Sequence, residues 1–461
     1  MSHRHLLPAL ALGALGCKPG LDASFQPNPI CDLSSVVTWT TDEPASSWVE
    51  VSLDDQALFK VGDDTPATEH KVIVVGMTEL QDYALEAVSV TQEGRELRSA
   101  SVDFTTSALP HPWLQGHVSV SDPSQVQPGW IAANVMTASI GPVIAVLLNE
   151  GGQVVWYYIH DGDDGGADIQ VSWFPDRREM LIGPHMAGGD RPVRIDLEGQ
   201  VSWEGPEQPG DPHTINIQDG QLHHVLWETD DGGHVAVQCH YEQVGDDDVQ
   251  GDRVVWLDQD NNEQWSWNTF DWLEYDPDDV FMGLWWTHLN SVAFDETEDV
   301  AYINSWVQSK VWKVDRATGE ILWTLGEGGD FAPDPDHEWP WFEMAHSVDP
   351  IGDNHFIMHD NGTNERHWSR VVEYALDETT MQAEIVWEYP GDLSEDRWYV
   401  VSCGDIDQLD NGNRLVVANT RIMELTLAGE LVFEYTWIPV DETPDLRSYQ
   451  AEKIPSLVQP L

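Results

Sequence analysis

Three histidines begin similar apolar segments, and they are the residues of this chain best suited to chemistry. Each segment reaches an acidic turn six or seven positions later: HVLWETDDGGHVAV from His224, HLNSVAFDETEDVAYIN from His288 and HSVDPIGDNHFIM from His346. A fourth segment, GDIDQLDNGNRLVVAN, has Gly404 at the leading position. Imidazole can act as a nucleophile, a proton carrier or a metal ligand near neutral pH. The three histidines are therefore candidates for one shared site.

Two chemistries suit three converging imidazoles, and the spacing alone leaves both open. Three neutral imidazoles could bind zinc or copper and leave a position for water or substrate. Alternatively, one imidazole is a nucleophile while the others protonate a leaving group or hold an oxyanion. Asn290, two residues after His288, is a poor metal ligand but can donate an amide hydrogen bond to an oxyanion. It favours the covalent chemistry, with no metal and no cofactor.

An internal repeat predicts how the histidines are brought together. Six segments share a strand, a polar turn and a second strand that carries an aromatic residue, and neighbouring aromatics are 46 to 64 residues apart: Trp156, Trp203, Trp265, Trp323, Trp387 and Phe433. This spacing, with hairpins throughout, predicts a six-bladed β-propeller of four-stranded blades. The first strand of a blade borders the central channel, so His224, His288 and His346 should meet there. His355 and His359, on the next strand, are predicted to be structural.

The remaining segments complete an all-β organisation. Residues 1–17 resemble a secretory signal that ends at a lipoprotein-type Cys17, the predicted lipidation site. Residues 28–108 alternate like a small β-sandwich and resemble fibronectin type III modules. The propeller is predicted over 116–440, with a C-terminal tail at 441–461. The expected location is the periplasm or cell envelope, where a Cys239–Cys403 disulfide is the predicted pairing.

The charge of the chain excludes several functions. Asp and Glu number 81 against 21 Lys and Arg, which gives a formal net charge of −60. Such a field repels phosphate backbones and anionic bilayers, so nucleic-acid binding is not expected, and membrane attachment is expected only through a lipid anchor. The acidic stretch DGDDGGAD (161–168) lacks the spaced glutamate of an EF-hand loop and is interpreted as a solvated turn.

Several motifs together resemble the bacterial aryl-sulfate sulfotransferases: WWTHLNSVAFD, VWKVDRATGEILWTLG, MAHSVDPIGDNHFIMHDNG, SRVVEYALD and GDIDQLDNGN. The resemblance covers roughly residues 120 to 437. It implies an exported six-bladed propeller with a small N-terminal β-domain. It also implies transfer of a sulfuryl group from a phenolic sulfate ester to a phenol, without a nucleotide donor, through a transient sulfohistidine.

The resemblance also assigns roles to individual residues. His346, in Ala-His-Ser-Val, matches the nucleophile of the family motif Gln-His-Ser/Thr-Ala. His288 and Asn290 match the His-x-Asn-Ser motif that contacts the sulfuryl oxygens. His224 matches a histidine of the His-His-Asp motif, here His-His-Val, so that Val225 replaces the aspartate.

One departure from the family concerns charge. Trp306, in INSWVQSK, stands where the family has an arginine that neutralises the sulfuryl group. Loss of a fixed cation removes a large electrostatic contribution to catalysis. Trp306 is therefore predicted to line the substrate site, with Arg370 as the substrate-binding cation. Lys310, Arg366 and Arg421 are the other candidates for that role.

Three hypotheses follow from these residues. The first is an aryl-sulfate sulfotransferase whose partners are a small aryl sulfate and a phenol. The second is a catalytically impaired propeller lipoprotein that binds a ligand or protein through its funnel, as Trp306 and Val225 would favour. The third is a three-histidine metal site.

Overall fold

The computed structural model describes residues 20–137, 143–159, 170–183, 191–209, 218–363, 365–390, 397–439 and 446–461. Over these ranges the chain is almost entirely antiparallel β-structure, as the sequence predicts. The helical elements in the same ranges are one turn of α-helix, α1 (Thr269–Trp272), and a 3-10 turn at Pro277–Asp279. No helix in the described part of the chain is long and apolar enough to span a bilayer.

The N-terminal domain is built on two long strands that change partners halfway. Its strands are β1 (Ser24–Pro27), β2 (Ser35–Leu53), β3 (Gln56–Val74), β4 (Asp82–Thr91), β5 (Glu96–Arg98) and β6 (Val102–Thr105). The first half of β2 pairs with β1 and the end of β3, and its second half pairs with β4 and the start of β3. Alternating apolar residues from both halves share one core, which includes Trp39, Val51 and Leu85. The fibronectin type III likeness of this domain stays a prediction.

Six antiparallel sheets follow as the blades of the predicted propeller. After β7 (Gly116–Ser121), the first blade contains β8 (Trp130–Thr137), β9 (Ile144–Leu148) and β10 (Val154–Ile159), and the second contains β11 (Val171–Phe174), β12 (Glu179–Ile182), β13 (Val193–Asp196) and β14 (Val201–Glu204). The third contains β15 (Leu222–Glu228), β16 (His234–Val244), β17 (Asp247–Leu257) and β18 (Glu263–Asn268), and the fourth contains β19 (Leu289–Asp295), β20 (Val300–Ser305), β21 (Lys310–Asp315) and β22 (Ile321–Leu325). The fifth contains β23 (His346–Gly352), β24 (His355–Asp360), β25 (Arg370–Asp377) and β26 (Gln382–Tyr389), and the sixth contains β27 (Asp405–Gln408), β28 (Arg414–Ala418), β29 (Arg421–Leu425) and β30 (Leu431–Trp437).

The aromatic residues that revealed the repeat lie on equivalent strands. Each is in the last strand of its blade, on β10, β14, β18, β22, β26 or β30. Two of them also join neighbouring blades, because Trp156 Nε1 donates to the Leu197 carbonyl at 2.9 Å and Trp265 Nε1 donates to the Arg316 carbonyl at 2.8 Å. These indoles therefore fill the space between blades and satisfy their own N–H groups across it.

The two ends of the chain close the ring, and this corrects the predicted tail. The strands β31 (Leu446–Arg447) and β32 (Ala451–Ile454) both pair with β8, so the innermost strand of the first blade comes from the C-terminus. At the other side, β7 pairs with β30 as an extra outer strand of the sixth blade. Without β31 and β32, the inner edge of β8 would be unpaired, and an open sheet edge is unfavourable.

The predicted disulfide is wrong. Cys31, Cys239 and Cys403 are all buried, and no disulfide joins Cys239 to Cys403. Cys239 lies on β16 in the third blade, whereas Cys403 precedes β27 in the sixth, so the ring separates them. Cys17 and the acidic stretch 161–168 lie outside the described residues, and the predictions made for them stay predictions.

Candidate active site

The three sequence-predicted histidines line one cavity of about 810 Å³. The rings of His224 and His288 are in edge contact, with centroids 4.6 Å apart. Trp306 lies between His288 and His346: its ring centroid is 5.4 Å from that of His288 and 6.1 Å from that of His346. Tyr449 lies between His224 and His346, with its ring centroid 6.1 Å from that of His224 and 5.9 Å from that of His346. The ring of blades thus brings residues 58 to 64 positions apart into one site.

Irregular inner strands direct these side chains. The pairing register shifts at His223/Leu226 in the third blade, at Leu289/Ser291 in the fourth and at His346/Asp349 in the fifth. His224 and His288 themselves adopt positive φ angles of 57° and 47°. Such bulges re-aim side chains at the rims of barrels and near active sites, and a non-glycine residue at positive φ is strained. The surrounding hydrogen bonds must therefore hold these two histidines in place.

His346 is held in one tautomer by Asn361. The amide nitrogen of Asn361 donates to the carbonyls of Val400 and Cys403, both at 2.8 Å, so its oxygen must face the imidazole. The separation of 2.7 Å between this oxygen and Nδ1 of His346 then requires a proton on Nδ1. The lone pair is consequently on Nε2, which accepts the backbone N–H of Cys403 at 3.3 Å.

The cavity keeps all three imidazoles uncharged. Burial lowers the pKa of His346 to about 3, although the hydrogen bond to Asn361 acts in the opposite direction. Burial and the neighbouring His223 lower the pKa of His288 to about 3. The pKa of His224 is also well below its usual value, because of burial and the adjacent His288. Near neutral pH the site therefore offers unprotonated nitrogen atoms.

A buried carboxylate that the sequence did not single out supports His224. Asp252 Oδ1 is 2.9 Å from Nε2 of His223, and Nδ1 of His223 is 2.7 Å from Nδ1 of His224. Burial alone would raise the pKa of Asp252, but the hydrogen bonds from His223 and Thr287 outweigh it and hold this pKa below its ordinary value. His223 is thus the link between an ionised carboxylate and a cavity histidine.

The same carboxylate also fixes the segment around His288. Asp252 Oδ2 accepts a hydrogen bond from the Thr287 hydroxyl at 2.5 Å and one from the Leu289 backbone N–H at 3.0 Å. These residues flank His288, so Asp252 restrains its strained backbone from both sides. One acidic side chain therefore positions two of the three cavity histidines.

Asn290 is near the histidines but does not line their cavity, which corrects its predicted contact with substrate. Its amide donates to the Ala345 carbonyl at 3.0 Å and its oxygen accepts from the amide of Asn304. Ala345 directly precedes His346, so Asn290 connects the His288 strand to the His346 strand. It faces a second cavity of about 350 Å³ that His224 also borders. The resemblance pointed to the correct blade but not to this structural role.

The four cations that were candidates to replace the family arginine are engaged elsewhere. Arg370 and Arg366 both pair with Asp360, and Arg370 also reaches Glu388. Asp360 is fully buried, and a buried carboxylate needs compensating positive charge. Lys310 donates to the Glu327 carbonyl, and Arg421 pairs with Glu434.

None of these four lines the histidine cavity, so the assignment of Arg370 to substrate is wrong. Arg447, on β31, does line it. The sequence contained no signal for this residue, because it lies in the segment predicted as a tail.

The histidines do not form a metal centre in the described ranges, where no group of three histidine, cysteine or carboxylate side chains is arranged to hold a metal ion. Nδ1 of His224 and Nδ1 of His346 are used by His223 and Asn361. The three-histidine metal site is therefore not supported by this geometry.

His355 pairs with Glu373, at 2.7 Å, and His359 is buried next to His346 in the adjacent strand, as expected of structural residues.

Comparisons with known proteins identify the family. No curated protein matches this chain in sequence. Solved structures that are similar to this chain include a putative 6-phosphogluconolactonase from Bacteroides uniformis (12% identity, TM-score 0.37, 89% of this chain and 99% of that one). Others are the WD40 domain of Toxoplasma gondii coronin (10% identity, TM-score 0.35, 74% of each chain) and hydrazine synthase of Kuenenia stuttgartiensis (8% identity, TM-score 0.33, 80% of this chain and 95% of that one). The sequence model of the family Arylsulfotransferase (ASST) matches residues 139–432, more than half of the chain. The chain belongs to the arylsulfotransferase family.

Proposed function

We propose that this protein moves a sulfuryl group between phenols in two steps through His346. In the first step, the lone pair on Nε2 attacks the sulfur of an aryl sulfate, the sulfur–oxygen ester bond breaks, and the phenolate leaves with the bonding pair and takes up a proton. In the second step, the oxygen of an acceptor phenol attacks the same sulfur, the nitrogen–sulfur bond breaks, and the acceptor loses its proton. His346 ends neutral and ready for another donor.

The observation that carries this proposal is the state of His346. Its proton is fixed on Nδ1 by Asn361, its lone pair is on Nε2, and its low pKa keeps Nε2 unprotonated. The Cys403 N–H that points at Nε2 would lie beside a sulfuryl group bound there and could donate to one of its oxygens. His224 and His288 also line the cavity, where their ring nitrogens can hydrogen-bond to the reacting groups.

The walls of the cavity suit an aryl group. Phe281, Trp285, Trp306 and Tyr399 line it, and its volume of about 810 Å³ exceeds what a single phenyl ring requires. Aromatic side chains bind flat rings by stacking and edge contacts. We therefore infer that donor and acceptor phenols occupy the same pocket in turn, which predicts ping-pong kinetics. Export and the lipid anchor on Cys17 belong to the same proposal.

The proposal is tested by incubating the full chain with para-nitrophenyl sulfate and a second phenol. Without the acceptor, nitrophenolate release should stop near one equivalent per protein, and the protein should gain the mass of one sulfuryl group on the peptide that contains His346. Addition of the acceptor should discharge that peptide and form the new aryl sulfate. If neither nitrophenolate nor the modified peptide appears across a panel of aryl sulfates, the binding-module hypothesis replaces this one.

The pH dependence of the first step follows from the depressed pKa of His346. A histidine with the ordinary pKa of about 6.5 loses its nucleophilic lone pair as the pH falls through that value. Because the pKa of His346 is about 3, its Nε2 stays unprotonated until the solution is far more acidic. We expect the initial rate of nitrophenolate release, read after an alkaline quench, to stay nearly constant from about pH 8 to about pH 5. A rate that halves near the ordinary histidine pKa would contradict this expectation.

A further inference from the structure

We propose that Arg447 is the cation that binds the sulfuryl group in this protein. It would take over the role of the family arginine, whose position is occupied here by Trp306. This inference rests on the proposed function and adds a residue to it. A sulfate monoester is an anion, and the field of the chain, with its net charge of −60, opposes the entry of anions. The three cavity histidines are neutral and cannot offset that charge. A permanently charged side chain in the cavity is therefore required.

Arg447 meets this requirement by its place and by its partners. Among the described residues that line the cavity, it is the one lysine or arginine. Its Nη1 is 3.4 Å from the Ser402 hydroxyl and 3.7 Å from Sγ of Cys403, and neither of these partners is a carboxylate. Nowhere in the described ranges does a carboxylate lie within ion-pair distance of it. Within the described part of the chain the guanidinium thus has no structural ion pair, in contrast with Arg366, Arg370 and Arg421.

Cys403 connects this guanidinium to the reactive nitrogen. Its side chain is next to Nη1 of Arg447, while its backbone N–H donates to Nε2 of His346. One residue, Cys403, therefore contacts both the guanidinium and the nitrogen that would carry the sulfuryl group. A planar guanidinium can contact two oxygens of such a group at once.

The backbone around Arg447 is anchored, so its side chain starts from a fixed point. The residue pairs with Met136 of β8, and the next residue, Ser448, donates its N–H to the Asn419 carbonyl at 2.9 Å. The N–H of Tyr449 donates to Oδ1 of Asn134 at 2.9 Å. The strand that closes the propeller therefore also delivers the positive charge to the site.

Trp306, which stands at the position of the family arginine, still offers a polar group, its indole N–H. It is only 5% exposed, and in the part of the chain that the structure describes its Nε1–H has no hydrogen-bond partner. A buried donor without a partner is costly unless a ligand satisfies it. Trp306 thus offers an N–H donor and an aromatic wall, while Arg447 offers the charge.

The inference is tested with Arg447→Ala and Arg447→Lys in the full chain, and Arg421→Ala serves as the matched control because its guanidinium pairs with Glu434 outside the cavity. Affinity for inorganic sulfate is measured by calorimetry, and kcat/KM is measured with para-nitrophenyl sulfate. We expect Arg447→Ala to lower kcat/KM about 100-fold and to weaken sulfate binding, with partial rescue by added guanidinium ion. Arg447→Lys should lie between Arg447→Ala and wild type, because it keeps the charge but not the planar fork. Arg421→Ala should behave as wild type.

The outcomes separate this inference from the proposed function. If wild-type protein transfers sulfuryl groups while Arg447→Ala matches it in kcat/KM and in sulfate affinity, the role of Arg447 is refuted and the function stands. If wild-type protein binds sulfate in an Arg447-dependent way but transfers nothing, the anion site is supported and the transferase proposal fails. Thermal unfolding of each variant shows whether a lost activity reflects a lost fold.

Discussion

Substitution His346→Ala is expected to abolish sulfuryl transfer while leaving the fold intact. The variant removes the nitrogen that we propose as nucleophile, and loss of a nucleophile lowers kcat by on the order of 10⁴-fold or more. Nitrophenolate release and mass analysis of the His346 peptide measure the two consequences, which are loss of turnover and loss of the covalent intermediate. His346 is buried with an exposed fraction of 2%, so the cavity left by the smaller side chain is next to an existing one and can fill with water.

The matched control is His355→Ala, a histidine on the adjacent strand β24. Its imidazole pairs with Glu373 and does not line the cavity, so this variant should keep near wild-type turnover. Added imidazole should partly restore donor cleavage to His346→Ala, because it can occupy the vacated space. Turnover that survives His346→Ala at wild-type rates would assign the nucleophile to another residue.

Substitution Asp252→Asn is expected to have the second largest effect, although this carboxylate does not line the cavity. The amide cannot supply the negative charge that orients His223. One of the two carboxylate oxygens, which accept from His223 and Thr287, is also replaced by an NH2 group, which can only donate. Both His224 and His288 are positioned through these contacts. When a buried carboxylate that orients a catalytic imidazole is lost, kcat falls steeply, and we expect a decrease of about 10³-fold here.

The effect of Asp252→Asn should be on kcat far more than on KM, because the substrate touches the histidines and not the carboxylate. Asp219→Asn is the matched control: Asp219 faces His240 at 3.1 Å in the same blade but is largely exposed. Equal losses in the two variants, or a loss that follows the fraction of unfolded protein, would contradict a positioning role for Asp252.

The sequence predicted the ring and the cavity histidines because both are encoded in a repeat. A strand, a turn and an aromatic residue recur in each blade, and each unit is specified by residues close together in the chain. Equivalent positions then meet at the axis of the propeller by symmetry. His224, His288 and His346 could therefore be assigned to one site although they are 58 to 64 residues apart.

The predictions that proved wrong concern polar residues whose partners are not evident from the sequence motifs. Arg370 was assigned to substrate, but a buried carboxylate on the neighbouring strand, Asp360, needs its charge. Asn290 was assigned to an oxyanion, but the Ala345 carbonyl and the Asn304 amide use its hydrogen-bonding groups. A sequence motif indicates the position of a polar side chain, whereas its bonding depends on which other polar groups are buried beside it.

The sequence by itself thus determined the all-β class, the six blades and the identity of the central histidines, since these depend on periodicity and residue type. Only the tertiary structure decided that Asp252 supports two of those histidines, and that the C-terminal segment closes the ring and carries Arg447 into the cavity. Asp252 and Arg447 stand at positions that no repeat relates to the histidines. Their contribution arises from packing between distant segments, which local patterns in a chain do not record.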